Sequence, residues 1–313
     1  MIRFTVLLTL ALAFPAGAFE LGFPVACTLS DTCHIQQYMD HDPSPAATDF
    51  TCGPLSYDGH SGTDIAVETT AQMQAGVAVL AANAGTVKGI RDGVADAAAF
   101  LPGQDCGNGV MIDHGGGWET QYCHLRQGSV AVALGDAVDT GQYLGLVGQS
   151  GNADFPHLHL SVRRNGADID PFAPADGKTC GKDQVADLWA PPIAYVPGGI
   201  IGIGLAATIP DYAAIKAGLA SPDLPATAPA LVVWVYVFGA RAGDTLMFDI
   251  TGPQGMVIRE RVGLEKTQAL LFRAVGKKLE TAAWPAGNYR GTAKIMRAGI
   301  EISTEAIVIS VEN

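Results

Sequence analysis

What most constrains this chain is a pattern that recurs from residue 59 onward, a short apolar run followed by a glycine turn. No window keeps a sustained helical period. Over residues 59–172 the runs are "AGVAVLAANAGTVKGI", "GNGVMIDHGGGWETQYCHL", "GSVAVALGDAVDTGQYLGLVG" and "HLHLSVRRNG". Apolar segments of about four to eight residues bounded by glycine read as strands, since a half-buried pleated surface repeats every second residue. The same punctuation resumes at 199 with seven runs to the C-terminus: "GIIGIGLAA", "ALVVWVYVFGA", "DTLMFDITGP", "MVIRERVGLE", "QALLFRAVG", "GNYRGTAKIMRAG" and "EISTEAIVISV". Seven short strands in one stretch suggest an immunoglobulin-like sandwich. The intervening "PDYAAIKAGLASPDLP" reads as a loop with a short helical turn.

The expected chain is therefore all-β. A loop-rich disulfide segment at 19–58 precedes a β-sheet domain at 59–172, a Pro-rich linker at 173–198 and an immunoglobulin-like β-sandwich at 199–313. A length of 313 residues accommodates two such cores. No repeat of fixed period interrupts this organisation.

The first 18 residues, "MIRFTVLLTLALAFPAGA", carry one positive charge at Arg3, an apolar run from Phe4 to Phe14 and an Ala-Gly-Ala end. That is the pattern of a secretory signal peptide cleaved after Ala18. The run is shorter than the roughly 20 residues a membrane span requires, and no transmembrane segment is expected in the mature chain. Export agrees with an even set of six cysteines, 27, 33, 52, 106, 123 and 180, none in a C-x-x-C pair. Three disulfides have fifteen possible connectivities. Folding the hairpin around "HGGGW" brings Cys106 beside Cys123; Cys27–Cys33 closes a local loop and leaves Cys52–Cys180. The net charge is −12, concentrated in residues 1–189, where 8 Lys and Arg face 21 Asp and Glu; residues 190–313 have 11 against 10. A nucleic-acid or anionic-membrane partner would call for clustered cations instead, so neither is expected.

Chemistry gathers on the histidines. In "PHLHL", His157 and His159 stand two apart, and in a strand positions i and i+2 share a face. Neutral imidazole is the commonest zinc ligand. In "GHSGTDIA", His60 and Asp64 are separated by three residues in a glycine-bearing turn that enters a strand, where they can converge on one ion. In "TQYCHL", strict alternation turns Cys123 and Leu125 one way and Tyr122 and His124 the other. His114, in "DHGGG", is expected in the hairpin turn; His34 and His41 lie in the loop-rich N-terminal segment, away from the site. Tyr57 and Tyr122 are candidates to line a groove.

Taken together, "HSGTD", "VAVLAANAGTV", "IDHGGGWETQYCHL", "LGDAVDTGQYLGLVGQSG" and "PHLHLSV" resemble, in order, the motifs of the lysostaphin-type zinc metallopeptidases, bacterial peptidoglycan endopeptidases. The resemblance covers roughly residues 55–172. It implies a catalytic antiparallel β-sheet with an open groove suited to an extended peptide. It implies one zinc ion on His60, Asp64 and His159, with a fourth position open for water, and catalytic roles for His124 and His157. With no H-E-x-x-H glutamate, histidine supplies the base. The substrate implied is a peptidoglycan stem or cross-bridge peptide, leaving the sandwich to position the enzyme or bind a cell-wall or protein partner. Two other readings keep this fold: a non-catalytic protein that binds the wall or activates other wall enzymes, and a zinc peptidase acting on a glycine-rich protein. D-alanyl-D-alanine carboxypeptidase chemistry would space the first His and Asp more widely than here.

Overall fold

The computed structural model describes residues 18–99, 101–175, 179–181, 187–220 and 224–312. The expected signal peptide, up to residue 17, lies outside them. The first part contains strands β1 (Cys33–Gln37), β2 (Thr63–Val67), β3 (Ala78–Leu80), β4 (Gly85–Arg91) and β5 (Asn108–Gly115). There follow β6 (Trp118–Leu125), β7 (Ala137–Val138), β8 (Tyr143–Leu146), β9 (His157–Arg164) and β10 (Ala167–Ile169). The main sheet runs β1-β2-β9-β6-β5-β4-β7, antiparallel throughout, with β10 returning along β9; β3 and β8 pair separately.

Alternation explains why "HLHLSV" forms an interior strand of the main sheet. Leu158, Leu160 and Val162 are buried in one core with Ile65, Val67, Val110, Ile112, Tyr122 and Leu125. Each such side chain contributes roughly 1.5–3 kcal/mol on full burial. A register slip of one residue would carry all three into the opposite face. The hydrophobic residues thereby fix where His157, His159 and Ser161 point. At the β5–β6 turn, Gly115, Gly116 and Gly117 have φ of 76, 60 and 81°, a conformation that residues with a Cβ adopt only under strain.

Two expectations need correction. The stretch "TTAQMQAG" forms a helix, α1 (Thr70–Ala75), capped by Thr69, whose hydroxyl accepts from Gln72 N–H. Six residues are fewer than two turns, too few for a periodic signal. The run "GSVAVAL" is not a strand: Ala131 N–H makes a single bond to Leu144 O. The Asp136 carboxylate accepts from Ala133 N–H, a local turn that replaces the ladder.

The second part supplies β11 (Gly199–Ala206), helix α2 (Tyr212–Ala217), β12 (Ala230–Ala240), β13 (Thr245–Gly252) and β14 (Gly255–Gly263). It ends with β15 (Gln268–Lys278), β16 (Gly287–Arg297) and β17 (Ile300–Val311). Sheets β11-β12-β15 and β14-β13-β16-β17 face each other across a core that includes Leu205, Val233, Phe248, Leu271 and Ile295. This is the immunoglobulin-like sandwich expected. The two parts touch. His34 packs on Phe238 at 4.3 Å between ring centroids, and Gln36 Nε2 donates to Ala269 O at 3.0 Å. From the linker, Tyr195 donates its hydroxyl to Asp49 at 2.8 Å. Cysteine pairing is Cys27–Cys33, Cys52–Cys180 and Cys106–Cys123, as the spacing suggested. Among the described residues no helix is long and apolar enough to cross a membrane.

Candidate metal centre

Strand β2 pairs with β9 so that Asp64 lies opposite His159 and Ala66 opposite His157. His60 reaches the same point from the turn before β2. Gly62 permits this approach: a Cβ there would lie 2.6 Å from His159 Nε2 and from Leu160 O. His60 Nε2 is 3.1 Å from Asp64 Oδ1, His159 Nδ1 is 2.8 Å from the same oxygen, and the two nitrogens are 3.2 Å apart. One donor atom from each of the three residues falls within 4.8 Å of the others.

The outward nitrogens of these ligand candidates are occupied. His60 Nδ1–H donates to the Tyr38 carbonyl at 2.7 Å, leaving the Nε2 lone pair directed at Asp64. His159 Nε2 is 3.0 Å from Ser161 Oγ, so with Nδ1 as ligand its N–H donates to that hydroxyl. Partners of this kind fix the tautomer and orientation of metal-binding histidines. Asp64 is buried, which opposes ionisation, yet His157, His60 and His159 together hold its carboxyl well below the usual range. His60 is pulled up: burial works against its cation, but the charge and hydrogen bond of Asp64 prevail. One carboxylate oxygen is approached by three imidazole nitrogens, the third being His157 Nε2 at 3.5 Å, an arrangement that could hold a metal ion.

His124 and His157 complete the cluster, their rings 4.6 Å apart and His124 5.9 Å from His159. His157 Nδ1–H donates to Phe155 O and His124 Nδ1–H to Ser150 O, both at 2.8 Å. Burial, with His157 and His159 adding to it, pushes His124 down to about 3. Burial also lowers His157, against the pull of Asp64. Burial thus favours the neutral imidazole in both rings, with the proton on the Nδ1 that each carbonyl accepts from.

Strict alternation misplaces His124. Its φ is 64°, and the β5–β6 register is irregular there. The turned backbone brings His124 to the side of Cys123, while Tyr122 and Leu125 are fully buried in the core. Tyr122 consequently lines no groove; its hydroxyl accepts from Ala82 N–H. Tyr57 does, half exposed and stacked on His60 at 4.5 Å. The groove at this point has a volume of about 290 Å³ and includes Asp105, Gln121, Ser161 and Arg163 on its walls.

The remaining histidines are placed elsewhere. His114 bridges Ala84 O and Thr120 Oγ, at 2.7 and 2.8 Å. His34 lies 2.9 Å from Gln36 Oε1, and His41 pairs with Asp170 at 2.7 Å. Sequence reasoning did not find Tyr38, Ser150 or Phe155, because they act through backbone carbonyls, which any residue supplies. Ser161 was within reach, being two beyond His159 on the same strand face.

Residues 58–171, just over a third of the chain, match the model of Peptidase family M23. The DD-carboxypeptidase/endopeptidase Mpg of Neisseria meningitidis is 42% identical over 69 residues, 22% of this chain and 15% of the relative. The murein hydrolase activator EnvC of Escherichia coli is 37% identical over 94 residues, 30% of this chain and 22% of the relative. The matched stretches thus span less than a quarter of either relative. Among solved structures, the catalytic domain of lysostaphin from Staphylococcus simulans aligns at 21% identity with a TM-score of 0.29, over 43% of this chain and 85% of that one.

Proposed function

We propose that this chain is an exported zinc endopeptidase that cuts peptide bonds in the stem or cross-bridge of peptidoglycan. The observation that carries the reading is the complete donor set of His60, Asp64 and His159 with two further neutral histidines beside it. The donor chemistry fits zinc, two imidazoles and a carboxylate with their outward atoms already bonded. Zinc held there would supply a Lewis acid that makes water a better nucleophile near neutral pH and polarises the peptide carbonyl.

The protein's own residues do the rest. Ser150 O and Phe155 O hold the rings of His124 and His157 with Nε2 available. Burial keeps both neutral, so either Nε2 accepts the proton of the attacking water and returns one to the leaving amine. Tyr57, Gln121 and Arg163 line the groove that orients the peptide. Export is consistent with three disulfides. The sandwich over 199–311 serves as the unit that positions the enzyme or engages a partner.

Mass spectrometry of muropeptides released from purified sacculi tests this reading. Newly cut peptides are expected, abolished by a chelator and restored by zinc. Zinc-loaded protein that leaves sacculi unchanged would overturn it. The likeness to EnvC, whose name records an activator, favours a second reading in which the domain binds a wall hydrolase without cutting. In that case purified protein would stimulate another hydrolase while releasing nothing alone.

A further inference from the structure

The face of the sheet that presents the histidines does not end at the candidate metal centre. Register places His34 opposite Ala66 and Ala66 opposite His157, a row across β1, β2 and β9 one step from the row of Asp64 and His159. Two strand residues separate the rows along β9, roughly 7 Å. On the other side of the ligands, Ser161 and Arg163 continue the groove along the same strand. The row of His34, Ala66 and His157 thus lies on one side of the candidate metal centre, and Ser161 and Arg163 lie on the other.

Beyond His157 this face becomes the floor of a second cavity, about 190 Å³, floored by His34 and Ala66 and bounded by Phe155. Phe155 stacks on His157 with ring centroids 4.4 Å apart, so the cavity adjoins the reacting centre. Its far wall is the sandwich: Ile201 of β11, Tyr236 of β12, Leu270 of β15 and Ala213 of α2. The volume is below the roughly 300–1,000 Å³ of pockets for drug-sized ligands, which suits a single residue.

The walls have two characters. Phe155, Ile201 and Leu270 are apolar; Glu68 and Asp154 are acidic. Lys216, also on the wall, is engaged over the Tyr212 ring at 5.1 Å. Burial, and then the charges of Asp31 and Glu305, push Glu68 up to about 7, a carboxyl group that a neighbouring cation would stabilise as its anion. His34 is held neutral by burial, down to about 4, and adds no opposing charge.

We propose that this cavity is a substrate subsite, walled in part by the sandwich, that takes a residue with an apolar body and a protonated amine. An extended peptide advances about 3.3 Å per residue, so the residue received is the second from the scissile bond on the His157 side. The inference rests on the peptidase reading above and makes the sandwich a determinant of specificity.

The test uses the full chain with zinc and the shortest peptide it is found to cut, its cleavage point assigned by mass spectrometry. That peptide is compared with versions acetylated at the α-amine, at any side-chain amine, or at both. Blocking the amine carried by the second residue is expected to raise KM about tenfold with kcat little changed, and the single acetylations show which amine is read. Asp154→Asn with Glu68→Gln should erase that discrimination. Ala213→Trp, at an exposed position on the wall, should raise KM for the free-amine peptide with zinc content intact. The same ranking is expected in calorimetry of the cut product binding to chelator-treated protein. Equal KM for free and acetylated peptides, or no effect of Ala213→Trp, would overturn the subsite alone. Zinc-loaded protein that cuts no peptide would overturn the peptidase reading and the subsite with it.

Discussion

Replacing His157 and His159 one at a time separates ligand from catalyst on a single strand. Without His159, two donors remain, His60 Nε2 and Asp64 Oδ1, 3.1 Å apart. Loss of a ligand's hydrogen-bond partner alone costs about 10–100-fold in metal affinity, so loss of the ligand must exceed that. His159→Ala should therefore be purified with little zinc. Without His157 the three donors within 4.8 Å are intact, and zinc should stay near one per chain. Turnover should fall by about 10²–10⁴, the contribution of a positioned acid or base, or roughly 3–5 kcal/mol of transition-state stabilisation. Because His157 is buried, His157→Gln serves as a second variant that keeps more of its volume. His124→Ala should behave like His157→Ala, and His114→Ala, which alters bonds to Ala84 and Thr120 and a ring contact with Phe19, should keep both zinc and rate. Metal analysis after gel filtration, with turnover and a melting curve for each variant, provides the comparison. Zinc loss in the His157 variants with retention in His159→Ala would refute the assignment.

Other consequences follow from the same geometry. Ser161→Ala should weaken zinc about 10–100-fold in a chelator competition, through loss of the hydroxyl that accepts from His159. Removing each disulfide by double serine substitution should destabilise in order of closed-loop length: about 2 kcal/mol for the separation of 6, about 3 for 17 and about 5 for 128, read by urea denaturation. Glu68 is raised from 4.5 to about 7 by folding, so the native state holds its proton more tightly and stability falls as pH rises through that window. Glu68→Gln should flatten this slope; an unchanged difference in melting temperature between pH 5 and pH 8 would count against it.

Much of the architecture was legible because alternation and glycine spacing report the same thing. In "HLHLSVRRNG" the leucines and Val162 specify the buried face, and the histidines take the other by default. Seven apolar runs after residue 199 likewise became seven strands. What escaped was local or distant. Helix α1 is too short to repeat, and "GSVAVAL" lost its ladder to the Asp136 carboxylate. Two anchors of the site are carbonyls far along the chain, Tyr38 at 22 residues from His60 and Ser150 at 26 from His124, while Phe155 O sits two residues from His157. Nor does the sequence announce that Phe238 and Ala269 of the sandwich close on His34 and Gln36, since tertiary contacts of that range leave no local pattern.

His124 is where alternation fails, and the failure identifies what holds this histidine in place. A non-glycine residue at φ 64° costs on the order of 1–3 kcal/mol and persists only where its surroundings over-determine it. Here Tyr122 and Leu125, both fully buried, pin the chain on either side. His124 N–H donates to Cys106 O at 2.8 Å, and the Cys106–Cys123 disulfide ties the adjacent residue to the same neighbour. That disulfide is thus expected to serve the site as well as stability. Cys106→Ser with Cys123→Ser should retain zinc, because none of the three donors is disturbed, yet lose turnover at temperatures where the melting curve shows the fold intact. The Cys27 and Cys33 pair, closing a loop away from His124, provides the control and should leave turnover unchanged. If the two double variants lose turnover equally at matched stability, the disulfide is a staple only, and the buried flanks of Tyr122 and Leu125 suffice to hold the turn at His124.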